Sequence, residues 1–237
     1  MPLLAVSTLC TLADTGSELI LVDTGLGTGN YGAPTARMRI FTALTRIGND
    51  VTHTAHHQIA ALGYSAGDVK HILMTHLHLD HSGGLPDFPE ALVHVYEPEY
   101  RAAVRPRGLQ RLAYDPSHWR HGPRWRVHED VKSQAWFGFD AIEIGEIESA
   151  RVLMIPLVGH SPGHVGVAIR TGPDWLLHCG SAFPPGGFTS VIPVWIASAA
   201  RGPHMRRLRQ LTSEHAGEVR MIRSHVPLKT PGIEMPG

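Results

Sequence analysis

The chain has 237 residues, 43% of them hydrophobic, and its 21 basic side chains match its 21 acidic ones. This content supports a sizeable core, and we predict one domain over residues 1–237. The balanced charge argues against binding to nucleic acid or to an acidic membrane surface, and no apolar run approaches the ~20 residues that cross a bilayer.

The N-terminal residues predict a strand rather than an export signal. Met1–Val6 has neither a basic region nor a long apolar core. Cys10 and Cys179 are too few for a disulfide framework and lack the spacing of a metal motif, which favours a reducing compartment. We therefore expect a cytoplasmic protein.

The first part of the chain alternates short strands with helices. Gly-rich sequence follows the first clear strand and predicts a loop to Ala33. Apolar periodicity predicts a helix over Val51–Leu62, capped by Asn49 or Asp50, and a shorter helix over Glu97–Val104. The predicted strands are Leu19–Val22, His71–Thr75 and Ala91–Tyr96.

The remainder predicts a long loop and then mostly strands. Residues 105–133 show little periodicity, and their arginines are interpreted as a solvated segment rather than a polyanion site. A Pro/Gly loop is predicted over Pro184–Pro193 and a helix over Met205–Ala216. The predicted strands are Ala141–Ile144, Arg151–Ile155, Val165–Ile169, Trp175–Cys179 and Val219–Ile222. This order is compatible with an α+β fold of two sheets covered by helices.

A dense group of metal-binding side chains follows the strand at His71–Thr75. His76, His78, Asp80 and His81 lie within six positions, where a strand opens into the turn Ser82–Pro86. His76 and His78 are two apart, so both can point the same way from extended backbone. Imidazole and carboxylate are the side chains that hold zinc or a similar divalent ion.

This H-x-H-x-D-H pattern resembles the signature of the metallo-β-lactamase superfamily, including its lactonase-like and glyoxalase II-like members. An earlier segment, Val22–Gly25, resembles the early family motif that supports the site. Three later segments resemble later family motifs in the same order: Gly159–His164, Leu177–Ala182 and Ser224-His225. The resemblance implies a four-layer αβ/βα sandwich with the metals at one end.

The resemblance also implies a ligand set. His76, His78 and His160 would hold a first metal, and Asp80, His81 and His225 a second. The implied ions are zinc, one or two per chain, with iron, manganese or cobalt as alternatives. His164 would be a structural residue near the site. Asp80 is suited to orient the nucleophile and to carry a proton to the leaving group.

The chain departs from the family pattern at Ser181, where relatives usually have a bridging aspartate. A hydroxyl is a poorer ligand than a carboxylate, and two dications would be less compensated without that charge. We therefore expect Ser181 to be at most a weak ligand and the second metal to be weak, exchangeable or absent. Phe183, Pro184 and Pro185 also lack the hydroxyl that lactone-cleaving relatives often carry after this position.

Other histidines and the cysteines are interpreted as structural. His53 and His57 have i, i+4 spacing but no evident third ligand, which favours a polar helix face. Cys179 is interpreted as a buried small side chain and His178 as a packed or hydrogen-bonded one. The histidines of the long loop either line the entrance to the site or are solvated: His118, His121 and His128.

These features predict a metal-dependent hydrolase that uses a metal-bound hydroxide on a small ester, lactone or thioester. The alternatives are a mononuclear iron oxygenase acting on a sulfur substrate, and a non-catalytic member with a binding role; Ser181 motivates both a single-metal and a binding interpretation. The expected partner is a small molecule, with no nucleic acid and no membrane, and a homodimer is a further possibility.

Overall fold

The structure is a computed structural model that describes residues 6–45, 47, 50–129, 134–183 and 203–227. Its strands are β1 (Val6–Thr8), β2 (Thr11–Asp14), β3 (Leu19–Val22), β4 (Val69–Leu73), β5 (Leu92–Tyr96), β6 (Arg124–His128), β7 (Gln134–Trp136), β8 (Phe139–Glu143), β9 (Val152–Pro156), β10 (Val165–Thr171), β11 (Asp174–His178), β12 (Val219–Ile222) and β13 (His225–Pro227). Its α-helices are α1 (Thr28–Gly32), α2 (Ala36–Thr45), α3 (Ala55–Ala61), α4 (Leu79–Ser82), α5 (Glu97–Val104) and α6 (Pro203–Glu214).

Two mixed sheets form the centre of the fold. The five-stranded sheet has the order β2-β3-β4-β5-β6, in which β3 to β6 are parallel. The six-stranded sheet has the order β12-β11-β10-β9-β8-β7, antiparallel except for the β11–β12 pair. A tight turn at residues 172–173 joins β10 and β11 as an antiparallel hairpin.

Strand alternation divides the core into layers, because successive side chains point to opposite faces of a sheet. In β3, Ile20 and Val22 join a cluster with Met154 and Val167 of the other sheet. Leu19 and Leu21 face the opposite way, into a cluster with Ile59 of α3. A third cluster packs the outer face of the six-stranded sheet against α6. This arrangement is the four-layer αβ/βα sandwich that the sequence predicted.

A small third sheet joins the two ends of the described chain. Strand β1 pairs antiparallel with β13, and the register places Thr8 opposite His225. The loops that carry the histidine motifs lie at the ends of β4, β9 and β12. The pairing with β1 therefore positions the last of these motifs.

Three predicted elements differ from the structure. The loop predicted to Ala33 contains the short helix α1 at Thr28–Gly32. Residues 105–133 are not one long loop, because Arg124–His128 forms β6 at the edge of the parallel sheet. The helix predicted over Val51–Leu62 is interrupted: Thr54 ends a single 3-10 turn and its side chain caps α3 by accepting the amide of His57. Asp50 caps the preceding turn, as predicted. The loop at Pro184–Pro193 and Trp195 fall outside the described residues.

Candidate metal centre

Three histidine nitrogens converge after β4 and β9. His160 Nε2 lies 3.1 Å from His76 Nε2 and 3.0 Å from His78 Nδ1. His76 and His78 lie on the extended segment between β4 and α4, and His160 lies in the loop between β9 and β10. The tertiary structure thus brings together the three side chains assigned to a first metal, although 82 residues separate His78 from His160.

Burial keeps these imidazoles neutral. Removal from water lowers the pKa of His76 and His160 well below the usual value, and the neighbouring histidines lower it further. The pKa of His78 falls to about 3 for the same main reason. A neutral imidazole offers its nitrogen lone pair, so the cluster is in the form that binds metal at neutral pH.

A buried aspartate orients two of the candidate ligands from the side away from the site. Asp23 accepts hydrogen bonds from His81 Nδ1 at 2.7 Å and from Thr75 Oγ1 at 2.7 Å. His76 Nδ1 lies 3.0 Å from the same threonine oxygen, which can accept a hydrogen bond from it. These bonds place the protons of His76 and His81 on Nδ1 and turn each Nε2 toward the site.

Asp23 and His81 each shift the pKa of the other. Burial alone would raise the pKa of Asp23, but the charge and hydrogen bond of His81 bring it below its usual value. Burial alone would lower the pKa of His81, but Asp80 and Asp23 raise it above its usual value. The backbone of Asp23 has a positive φ of 57°, an uncommon conformation for this residue type that turns the chain sharply at the end of β3.

A second group lies beside the first and has Ser181 at its centre. Asp80 Oδ2 is 3.5 Å from His81 Nε2 and 3.7 Å from His225 Nε2. Ser181 Oγ is 3.1 Å from His81 Nε2 and 3.0 Å from His225 Nε2. The hydroxyl therefore lies between the two histidines, where the resemblance implied a bridging carboxylate.

His164 holds Ser181 in place. Its Nδ1 lies 3.1 Å from the carbonyl oxygen of Leu157, so Nδ1 carries the proton and Nε2 accepts the amide of Ser181 at 3.0 Å. Gly180, with φ of +54°, allows this close approach, since an added Cβ would lie 2.5 Å from His164 Nε2. His164 thus has the structural position that the sequence interpretation gave it.

Sequence reasoning missed Glu99, a fully buried carboxylate on α5. Oε1 accepts the Leu77 amide at 2.9 Å and the Tyr114 hydroxyl at 3.1 Å. Oε2 accepts the Ser161 hydroxyl at 2.5 Å and the Gly163 amide at 3.1 Å. Glu99 therefore connects the segment of His76 and His78 to the loop of His160. Nothing in the local sequence distinguishes this residue from the exposed acidic residues of the same helix turn.

Thr8 was also missed. Its hydroxyl donates a 3.1 Å hydrogen bond to Asp80 Oδ2, the oxygen that faces His81 and His225. The contact depends on the pairing of β1 with β13, which no local sequence pattern indicates.

A cleft of about 330 Å³ opens beside the first group. His78 and His160 form part of its wall, and the Tyr114 ring packs edge-on against His78 with 5.1 Å between ring centroids. The other lining residues are Gln110, Ala113, Gly159, Ser161 and Pro162. The volume of the cleft lies at the lower end of the range for small-molecule sites, and the cleft gives a ligand access to the histidines.

The remaining histidines and cysteines have structural contacts. His178 is buried and lies within hydrogen-bond distance of Thr11 Oγ1 and Ser224 Oγ, as predicted. Cys179 is buried in the core cluster under α6, also as predicted. His53 and His57 belong to none of the potential metal groups among the described residues. Of the loop histidines, His121 is exposed, whereas His118 and His128 are buried and so are not solvated.

The donor set fits a borderline divalent ion such as zinc. Three nitrogens of neutral imidazoles meet at one point, and an ion there would bind all three lone pairs. The group around Ser181 offers two nitrogens and one carboxylate, but one of those oxygens already accepts the Thr8 hydroxyl. The group of His76, His78 and His160 is thus better suited to bind an ion than the group around Ser181.

Comparison with known proteins gives a consistent family. The model of the metallo-beta-lactamase superfamily matches residues 4–222. A probable metallo-hydrolase of Mycobacterium tuberculosis is 39% identical over 73% of this chain and 55% of its own length. The N-acyl homoserine lactonase AttM of Rhizobium radiobacter is 31% identical over 48% of this chain and 40% of its own length. This chain therefore spans about half the length of the curated relatives that it matches.

A solved structure shares the fold. A mutant of AiiA from B. thuringiensis, with N-decanoyl-L-homoserine bound at its active site, superposes with a TM-score of 0.63. The two are 20% identical over 92% of this chain and 80% of the other. The order of sheets, the placement of the histidine motifs and the family match together define a metallo-β-lactamase-type α+β protein. The chain belongs to the metallo-beta-lactamase superfamily. None of the helices in the described part of the chain is long and apolar enough to span a membrane.

Proposed function

We propose that this chain is a metal-dependent hydrolase of a small ester, lactone or thioester. The observation that carries the proposal is the convergence of His76 Nε2, His78 Nδ1 and His160 Nε2 beside an open cleft. When bound there, zinc would lower the pKa of a coordinated water to about 7 and so supply hydroxide at neutral pH.

The residues of the chain prepare that chemistry in three ways. Asp23 and Thr75 hold the ligand tautomers, and Glu99 holds the two ligand-bearing segments together. Burial alone would raise the pKa of Asp80, but the charges of His81 and His225 outweigh that effect and hold the pKa below its usual value. Asp80 is thus a carboxylate at neutral pH, able to orient a nucleophile and to accept a proton.

The Ser181 geometry supports a site in which one metal dominates. A hydroxyl that contacts both His81 and His225 contributes no negative charge to offset a second dication. The mononuclear iron oxygenase loses support for the same reason, since the carboxylate that would complete its ligand set is absent at this position. A binding role remains the second candidate, and it predicts metal binding without turnover.

Lactones are the substrate class to test first, because relatives of this chain are N-acyl homoserine lactonases. The ring of Tyr114 gives the cleft an apolar wall, while its hydroxyl is engaged by Glu99. The substrate carbonyl would then be polarised by the metal or by a group that lines the cleft, such as Gln110. Thioesters and simple esters share the same carbonyl chemistry and belong in the same panel.

The test is hydrolysis by purified, zinc-replete protein across N-acyl homoserine lactones of several chain lengths, aryl esters and thioesters. Turnover should fall at least about 100-fold in His76→Ala and in Asp80→Ala. The exposed His121→Ala serves as the matched control and should keep native activity. Metal binding with no turnover anywhere in the panel would favour the binding role, and activity that survives in His76→Ala would place the chemistry elsewhere. The cytoplasmic location, the single domain and the homodimer stay predictions.

A further inference from the structure

A second histidine cluster lies away from the candidate metal centre. His71 of β4, His94 of β5 and His128 of β6 form a row across three neighbouring parallel strands. His71 Nδ1 is 2.9 Å from His94 Nε2, and His94 Nδ1 is 2.9 Å from His128 Nε2. The rings of His94 and His128 stack with 5.2 Å between centroids.

The row faces the space between the two sheets. His71 and His94 alternate with Ile72 and Val93, which point into the outer helix layer. His94 is fully buried, and His71 and His128 are each only 9% exposed. An apolar residue would be expected at such inward positions, so three adjacent imidazoles call for a partner that uses their nitrogens.

Carboxylates flank both ends of the row. Glu18 Oε2 lies 3.3 Å from His71 Nε2. At the other end, a Glu146 oxygen and one nitrogen each from His94 and His128 all lie within 4.8 Å of one another. Arg126 also faces this end and donates to Oε1 of Glu146, so one cation and two carboxylates surround the three neutral rings.

The nitrogen spacing in the row matches that of the candidate metal centre. The contact between His94 and His128 measures 2.9 Å, and those of His160 with His76 and His78 measure 3.1 and 3.0 Å. Burial and the neighbouring histidines lower the pKa of His94 to about 3, so its ring is neutral at neutral pH and one of its two nitrogens carries a free lone pair. The row therefore has both the spacing and the protonation state of a ligand set.

We propose that His94, His128 and Glu146 form a further metal site, for a borderline divalent ion such as zinc. Two imidazoles and one carboxylate supply three ligands and leave a fourth position for water. His94 would coordinate through Nδ1 and donate its Nε2 proton to His71 Nδ1. His71 in turn would donate from Nε2 to Glu18, which fixes the tautomer of His94 as a carboxylate–histidine pair does at known zinc ligands.

Such an ion would join the two sheets. His94 and His128 belong to the five-stranded sheet, whereas Glu146 lies between β8 and β9 of the six-stranded sheet. Ile147, next to Glu146, already packs into the cluster between the sheets. The side chain of Glu146 is 27% exposed, which gives an ion a route to the site. The site is therefore structural, and its occupancy does not depend on turnover at the candidate metal centre.

The test compares zinc content in four proteins after equilibration with excess zinc and gel filtration: native, His128→Gln, Glu146→Gln and His121→Gln. The first two variants should each hold about one zinc fewer per chain than native, and the exposed-histidine control should equal native. Added zinc should raise the Tm of metal-stripped native protein by several °C more than that of His128→Gln. Equal zinc content in all four proteins would overturn the proposal.

A second measurement avoids any loss of folding in the variants. Crystals of the native protein grown with zinc should show an anomalous peak at the zinc edge between His94, His128 and Glu146. The same peak should persist in His76→Ala, even if that variant loses its metal at the candidate metal centre. A native crystal with zinc near His76 and none near His94 would show that the row is only a chain of hydrogen-bonded imidazoles.

Discussion

Replacement of Glu99 tests whether one buried carboxylate holds the candidate metal centre together. Glu99 accepts four hydrogen bonds from groups that lie on three separate segments: Leu77, Tyr114, Ser161 and Gly163. In Glu99→Gln, the amide oxygen can keep the two bonds made by Oε1. The amide nitrogen would then face Ser161 Oγ, which can rotate to accept, and the Gly163 amide, which cannot.

The expected cost follows from that mismatch. One buried N–H without an acceptor costs about 1–3 kcal/mol, so the free energy of unfolding should fall by that amount. For a chain of this size the corresponding decrease in Tm is about 2–12 °C. Glu99→Ala would leave all four donors without their acceptor and should cost at least about 4 kcal/mol.

Calorimetric unfolding of metal-loaded protein measures this effect, together with a zinc competition assay. We expect Glu99→Gln to weaken zinc binding as well, because the loop of His160 is no longer held against the segment of His76. Glu97→Gln is the matched control: it lies on the same helix turn but forms only an exposed ion pair with Arg101, worth about 0.3–0.5 kcal/mol. Native Tm and native zinc affinity in Glu99→Gln would refute the reasoning.

Three further predictions concern the second metal position, the packing of the His160 loop and the pH dependence of stability. Ser181→Asp should raise the metal content of the candidate metal centre from about one to two ions per chain. Metal content is measured in a Glu146→Gln background, which excludes the other proposed site. An unchanged number of ions per chain would show that Ser181 does not limit binding of the second ion. Gly163→Ala should destabilise the protein by at least about 2 kcal/mol, because its Cβ would lie 2.1 Å from the Glu99 backbone nitrogen, whereas Gly217→Ala, with open space around it, should be nearly neutral in chemical denaturation. The pKa of His118 is lowered to about 4 by burial, and its neutral form is held by Asn30 and Ser82. Between pH 6.5 and 4 the unfolded chain therefore binds more protons than the folded one, so the free energy of unfolding should fall as the pH falls, by about 3 kcal/mol from this residue. His118→Gln should make the free energy of unfolding less dependent on pH in this window. The same pH dependence in both proteins would contradict the assignment.

Much of the architecture could be predicted from sequence because the strands are short apolar runs bounded by turn residues. The strand at β3 and the helix at Glu97–Val104 have the predicted bounds, and β5, β8, β9, β10 and β11 lie within two residues of theirs. Strands β2, β6, β7 and β13 were not predicted; in β6, arginine and tryptophan alternate with no continuous apolar run. An edge strand has a neighbour on one side only, so its sequence is under weaker constraint than that of a central strand.

Some residues of the candidate site could likewise be predicted from the sequence, and others could not. His76, His78, Asp80 and His81 are close in sequence, and their spacing alone indicates metal chemistry. Glu99 and Thr8 act only through contacts between distant segments, and a glutamate or a threonine has no local pattern that separates a buried role from an exposed one.

The sequence by itself determined the type of site and most of the strands, because motif spacing and apolar runs are local properties. The layered fold was implied by the family resemblance and not by the strand pattern. Only the tertiary structure decided that Ser181 lies between His81 and His225, and that His71, His94 and His128 form one row across three strands. These three histidines are far apart in the chain and become neighbours through parallel pairing, in which residues meet by register rather than by sequence distance.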